Sequence, residues 1–186
     1  MRNKSPKSSS RPTTDEESCA GHALGFPLRS ELGFSSIENL TVDVFRAACE
    51  IYTSGSAQPW EIAHKIADEN LGAVEGPLFV ARVTALLRAL RSERNIGFSY
   101  LSIGCQHISP DELAIAGLLK AVRSRDALGI RRGLMLVLDK AQSSARTEAA
   151  ARALATLQLQ LSTSKGDDGA EIQDLQTQTV QAVYLH

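Results

Sequence analysis

Residues 76–94 read GPLFVARVTALLRALRSER, and the spacing of their apolar side chains decides the fold class. Leu78, Phe79, Val83, Leu86, Leu87 and Leu90 recur at intervals of three and four, which places them along one side of an α-helix. Arg88, Arg91 and Arg94 advance by three along another strip of the same helix. A face of large apolar residues needs other elements to cover it, and the flanking sequence supplies them.

Upstream, Thr41 is placed to cap a helix over 41–54, with Val44, Phe45, Ala48, Ile51 and Tyr52 on one stripe and Gly55 as the stop. Pro59, in a first-turn position, opens a second helix over 59–70. Trp60, Ala63, Ile66 and Ala67 face inward there, and Asn70-Leu71-Gly72 closes it. Downstream, NIGFSYLSIG at 95–104 breaks the helical period, and the alternation of Ile96, Phe98 and Tyr100 predicts a short strand or extended connector over 95–103. Ser109-Pro110-Asp111-Glu112 is then a helix start: Ser caps, Pro gives up no needed donor, and Glu112 stands where a capping box puts it. The helix that follows carries Ile115, Leu118, Leu119 and Val122. A further one holds Ile130, Leu134, Val137, Leu138 and Ala141, and another Ala150, Ala153, Leu154, Leu157 and Leu161. The pattern predicts a mainly α protein, a single compact domain of about six helices over 37–162.

The ends read differently. Residues 1–18 contain one apolar side chain, Met1, and cannot bury enough surface to offset ordering entropy, which predicts a disordered basic, Ser-rich tail. Residues 19–36 are Gly-rich with Leu24, Phe26, Leu28, Leu32 and Phe34 at even spacing, which suits a loosely ordered arm or an extended segment laid on the domain. Residues 163–170 read as a polar linker and 171–186 as a weak carboxy-terminal helix or tail.

At 186 residues the chain fits one domain, and 5% aromatic content leaves its core to Leu, Ile, Val and Ala. Three widely spaced cysteines make no disulfide framework and suit a reducing compartment. No run approaches the ~20 apolar residues of a membrane span, and the basic amino terminus is not followed by the apolar stretch of a signal peptide. The expected location is the cytoplasm, with no membrane partner.

The net charge of −1 hides a segregation of charge. Residues 1–14 sum to +4, residues 15–81 to −8, residues 82–132 to +5 and residues 133–186 to −2. The third block holds nine basic side chains: Arg82, Arg88, Arg91, Arg94, Lys120, Arg123, Arg125, Arg131 and Arg132. Several of them sit at helix carboxy termini, where cations complement the backbone dipole. As a set they are also the candidate interaction face, for an acidic protein or for nucleic acid. Blocks of opposite sign can equally attract each other within the fold.

Residues with catalytic or ligating chemistry are few. Cys19-x-x-His22 and Cys105-x-His107 together hold two thiols and two imidazoles, the ligand inventory of a zinc site. Regular structural zinc pairs have two to four intervening residues, whereas one pair here has a single one and the pairs lie more than eighty positions apart. The sequence reading is therefore no metal and no cofactor, with Cys105 a small buried residue and His107 partly exposed. Cys105 as a nucleophile would need a base converging in space, which adjacency to His107 does not supply. The carboxylate pairs Asp68-Glu69, Asp111-Glu112 and Asp167-Asp168 are explained by helix ends and solvation. The chain has no phosphate-binding glycine loop, nucleophile elbow or HExxH helix, so no catalytic residue is expected and an enzyme would need a site built from scattered residues.

The order of helices at 41–54, 59–70 and 76–94 followed by an extended 95–103 is similar in layout to a winged-helix DNA-binding domain. That resemblance covers about a third of the chain and implies a transcriptional regulator. The third helix would then read bases with its first half, yet Glu75-Gly76-Pro77-Leu78-Phe79-Val80 is apolar with an acid at its start. The first expectation is a non-enzymatic helical protein that acts by binding another protein, as a regulator or adaptor.

Overall fold

The apolar face of residues 76–94 is buried along its length: Phe79, Val80, Val83, Leu86, Leu87 and Leu90 are enclosed almost completely. The structure, a computed structural model, describes residues 19–140 and 144–167, with side chains through residue 163. Among the described residues are six helices and no β-strand. They are α1 (Ala20–Ala23), α2 (Ser36–Ser54), α3 (Gln58–Glu93), α4 (Pro110–Arg123), α5 (Ala127–Leu138) and α6 (Ala145–Asp167). The protein is mainly α, as its periodicity predicts. The tails expected over 1–18 and 171–186 lie outside the described residues. No described helix is long and apolar enough to cross a membrane.

The second half of α3 is the central element, covered by α2 on one side and α6 on another, while α4 packs on α5 and α6. Val44, Phe45 and Ala48 of α2, Leu118 and Leu119 of α4, Leu134 and Val137 of α5, and Leu154 and Ala155 of α6 complete one contiguous core. α4 and α5 close on each other through Gly133, where a Cβ would stand 3.0 Å from the Leu118 backbone.

Helix starts and stops follow local chemistry, with informative differences from expectation. α2 begins at Ser36, five residues before the expected Thr41, because Ser35 and Glu38 form a reciprocal capping box. Thr41 lies inside the helix instead, donating to the Ile37 carbonyl and accepting from Gln158. Gly55 ends α2 with φ 66°, the left-handed stop its position predicts. α3 is two helices fused across Gly72, whose φ of 86° and ψ of 169° are not helical. The chain closes tightly after that break: a Cβ at Gly76 would meet the Asp68 backbone nitrogen at 2.9 Å.

Trp60, expected in the core, is 41% exposed and stacks edge-on against His64 at 4.8 Å. The buried seam of the first half of α3 consists of Pro59, Ala63 and Ala67, spaced by four, and Trp60 lies one step of ~100° away from it. Small residues seat this half of α3 close against the core, and the large one is displaced to the rim. Leu78 and Tyr52, also placed on apolar stripes, are likewise exposed. Residues 95–103 run as a connector without strand pairing, so the β-ribbon of a wing is not formed there. α6 continues to Asp167, into the stretch that reads as a linker from 163.

Residues 19–35 hold the one-turn α1 and a series of turns fastened to the loop before α4. Leu28 and His107 form an isolated antiparallel bridge, with Arg29 N–H donating to Gln106 O at 2.8 Å and Ile108 N–H donating to Pro27 O at 2.9 Å. Arg29 is also paired with Asp43 of α2 at 2.6 Å.

Candidate functional site

Arg46 lies in the run Val44-Phe45-Arg46-Ala47-Ala48, every member of which is buried, and its side chain is fully enclosed. A lone buried guanidinium would be prohibitively costly, so the fold surrounds it with acceptors. Its Nε and Nη2 donate to the two carboxylate oxygens of Glu112 at 2.6 and 2.9 Å. Its remaining donors reach the carbonyls of Cys105 (2.6 Å), His107 (2.6 Å) and Ser102 (3.2 Å). Glu112 in turn accepts the amides of Leu101 and Ser109 while completing the α4 capping box. The backbone of 101–109 is thus wrapped around one buried ion pair, which fixes where the side chains of Cys105 and His107 point.

They meet α1. Cys19 Sγ is 3.2 Å from His107 Nδ1 and 3.4 Å from Cys105 Sγ, and Cys105 Sγ is 3.9 Å from the same imidazole nitrogen. Cys105 and His107 are buried and Cys19 is half-buried. The exposed His22 stands one turn on from Cys19, its ring edge-to-face with His107 at a centroid distance of 5.9 Å. Gly21, between the two α1 residues, permits this approach, since a Cβ there would fall 2.4 Å from His107 Cβ. The four residues that the sequence offers as a ligand inventory are therefore neighbours, although eighty positions separate the pairs.

The thiols differ in acidity. The amide of His22 donates to Cys19 Sγ at 3.4 Å and holds that thiol below its ordinary value of 9.0, against the opposing effect of burial. Burial pushes the Cys105 thiol up. Cys49, on α2, is pushed up to about 12 by burial and by Glu112.

The nine basic side chains divide. Arg94 pairs with Asp111 at 2.8 Å, donates to Val137 O and covers the Phe98 ring at 4.3 Å. Arg123 is bound by Glu38 of α2, an internal match between the basic and acidic blocks. Arg91 lies over the Tyr52 ring at 3.7 Å, and Arg88 donates to the Tyr52 hydroxyl at 3.4 Å. Arg82, Lys120, Arg125, Arg131 and Arg132 are exposed and have no carboxylate in ion-pair range among the described residues.

Four of those five surround the amino-terminal half of α5. Lys120 and Arg132 line a groove between α4 and α5, and Arg125 and Arg131 line a second one towards α6, with Arg152. The ridge between them carries Leu128 at 81% exposure, with Met135 beside it, and Leu136, 59% exposed, lines the α4–α5 groove. The two acids that line these grooves are both engaged: Asp126 caps α5 through the amides of Leu128 and Gly129, and Glu148 is paired with Arg152.

Sequence reasoning counted Arg46 only as a charge. The signal that marks it is an arginine inside an otherwise wholly apolar helical run, a position no charged residue holds unless paired. Comparison with protein-family models, curated proteins and solved structures returns no match for this chain.

Proposed function

We propose that this chain is a non-enzymatic, cytoplasmic binding module whose α4–α5 hairpin receives an acidic, amphipathic segment of another protein. The observation that carries this reading is the α5 ridge: exposed Leu128 and Met135, with Leu136 in the wall of the α4–α5 groove, stand among Lys120, Arg132, Arg125 and Arg131. A single exposed leucine is ordinary, but an apolar ridge flanked on both sides by unmatched cations offers contact area and charge selection together. An amphipathic helix would set its apolar face on the ridge and its carboxylates into the grooves. A phosphate backbone would use the cations and leave the leucines unserved. Three unpaired cysteines suit a reducing compartment.

The test compares wild type with Arg131→Glu/Arg132→Glu in parallel captures from lysate, followed by cross-linking and mass spectrometry. Cross-links from Lys120 to carboxylate-rich segments of one partner, lost in the variant, are the expected result. Equal capture by both proteins would contradict the reading. Salt-sensitive retention on duplex DNA that the variant abolishes, without a protein partner, would move the assignment to nucleic acid.

A further inference from the structure

We propose that Cys19, His22, Cys105 and His107 bind one zinc ion, which clasps the 19–35 arm onto the loop before α4. Tetrahedral zinc takes Cys sulfur at about 2.3 Å and His nitrogen at about 2.0 Å, which sets S···S edges near 3.7 Å and S···N edges near 3.5 Å. The triangle of Cys19 Sγ, Cys105 Sγ and His107 Nδ1 has edges of 3.2, 3.4 and 3.9 Å, the size of one face of that tetrahedron. Two imidazoles on a common tetrahedral zinc have centroids about 5 Å apart. His22 and His107 stand at 5.9 Å, and His22 lies outside the convergent triangle, so its side chain would rotate inward to supply the fourth ligand.

Three further features favour a metal over other uses of these groups. The sulfurs at 3.4 Å are far outside the ~2.04 Å of a disulfide, and an imidazole nitrogen contacting both thiols adds nothing to such a bond. Two thiolates balance the charge of a divalent cation, so the partly buried centre would be neutral. The scaffold is also built beforehand: Arg46 binds the Cys105 and His107 carbonyls, and Gly21 leaves room for α1 against His107. Soft sulfur with imidazole selects zinc over magnesium or calcium. Four protein ligands leave no open position, which assigns the ion a structural role rather than a catalytic one.

The full chain, purified under reducing, chelator-free conditions from zinc-supplemented culture, is assayed for metal content and then reconstituted with cobalt after zinc removal. About one zinc per chain is expected, together with the absorption of tetrahedral cobalt and thiolate-to-metal charge transfer. Cys19→Ser and Cys105→Ser should each lose the metal, and Cys49→Ser should retain it. Cys19→Ser keeps the test valid against misfolding, because α1 lies outside the core and helix content by circular dichroism should hold. Removing zinc from wild type should also open the arm, so that trypsin cuts after the buried Arg29 faster than in the loaded protein. Protein that neither retains nor takes up zinc overturns the proposal. So does full loading in Cys19→Ser, or a Cys19–Cys105 disulfide in protein kept anaerobic.

Discussion

The two ends of α4 handle positive charge in opposite ways. At its amino-terminal end, the first-turn acids Asp111 and Glu112 each receive an arginine from another helix: Arg94 from the end of α3 and Arg46 from α2. At its carboxy-terminal end only Arg123 finds an acid, Glu38 of α2, while Lys120 and Arg125, with Arg131 and Arg132 across the turn on α5, stand in solvent with no carboxylate partner among the described residues. The helix dipole favours acids at one end and cations at the other, and so explains both sets locally. It does not say which cations the fold will use. That depends on whether tertiary structure brings an acceptor within reach. The capping acids do so at the first end. At the second, Glu38 is taken by Arg123, Glu148 by Arg152 and Asp126 by the backbone amides it caps.

This contrast predicts a graded series. Arg46→Met is expected to cost most, about 3–5 kcal/mol in urea denaturation, because Glu112 is left buried and unpaired. Arg46→Met/Glu112→Met should recover only part of that loss, since the carbonyls of Ser102, Cys105 and His107 still lack donors. Full recovery would show that the ion pair alone mattered and that the loop does not need Arg46. Leu86→Ala should lose about 2–5 kcal/mol, the usual range for truncating a fully buried leucine. A loss below half of one kcal/mol would remove α3 from the centre of the core.

A smaller effect is expected at the Glu38–Arg123 pair, which joins an acid of the acidic block to a cation of the basic block. Burial raises the Glu38 carboxyl, but the Ser35 amide and hydroxyl and the Arg123 guanidinium outweigh it and hold it below its ordinary 4.5. A depressed acid stabilises the fold fully above that ordinary value, and the contribution disappears as pH falls through the lower folded value. Glu38→Gln should therefore cost about 1 kcal/mol at pH 7, with the gap to wild type closing on acidification towards pH 3. A gap that widens instead would mean that Glu38 is protonated more readily when folded. Trp60→Ala should change stability least, by about 0.5 kcal/mol or less, because the ring lies on the rim.

The helical class and the core of α3, α4 and α5 were legible because large apolar residues at three- and four-residue spacing leave few alternatives. Gly55 and the Ser109–Glu112 capping box were legible for the same kind of local reason. Most of what escaped was non-local. Trp60 is apolar and correctly spaced, but the helix contact is set by Ala63 and Ala67, whose small size carries little signal in a hydrophobicity pattern. The Ser35–Glu38 box was as readable as the one at Ser109, and Thr41, a weaker cap, masked it. Arg46 and the thiol–imidazole cluster are contacts across 66 and 86 positions, which no window along the chain spans. Of the basic residues, sequence could group the nine but could not divide them, because the division rests on where Asp111, Glu38 and Tyr52 come to lie.

That division is tested most directly by reversing charge at each end of α4 and measuring stability by urea denaturation. Arg94→Glu should lose about 3 kcal/mol or more, because its side chain is 5% exposed and faces Asp111. Arg131→Glu/Arg132→Glu should stay within about 0.5 kcal/mol per residue of wild type, as exposed substitutions do. Equal losses at the two ends, or a larger loss on α5, would contradict the account.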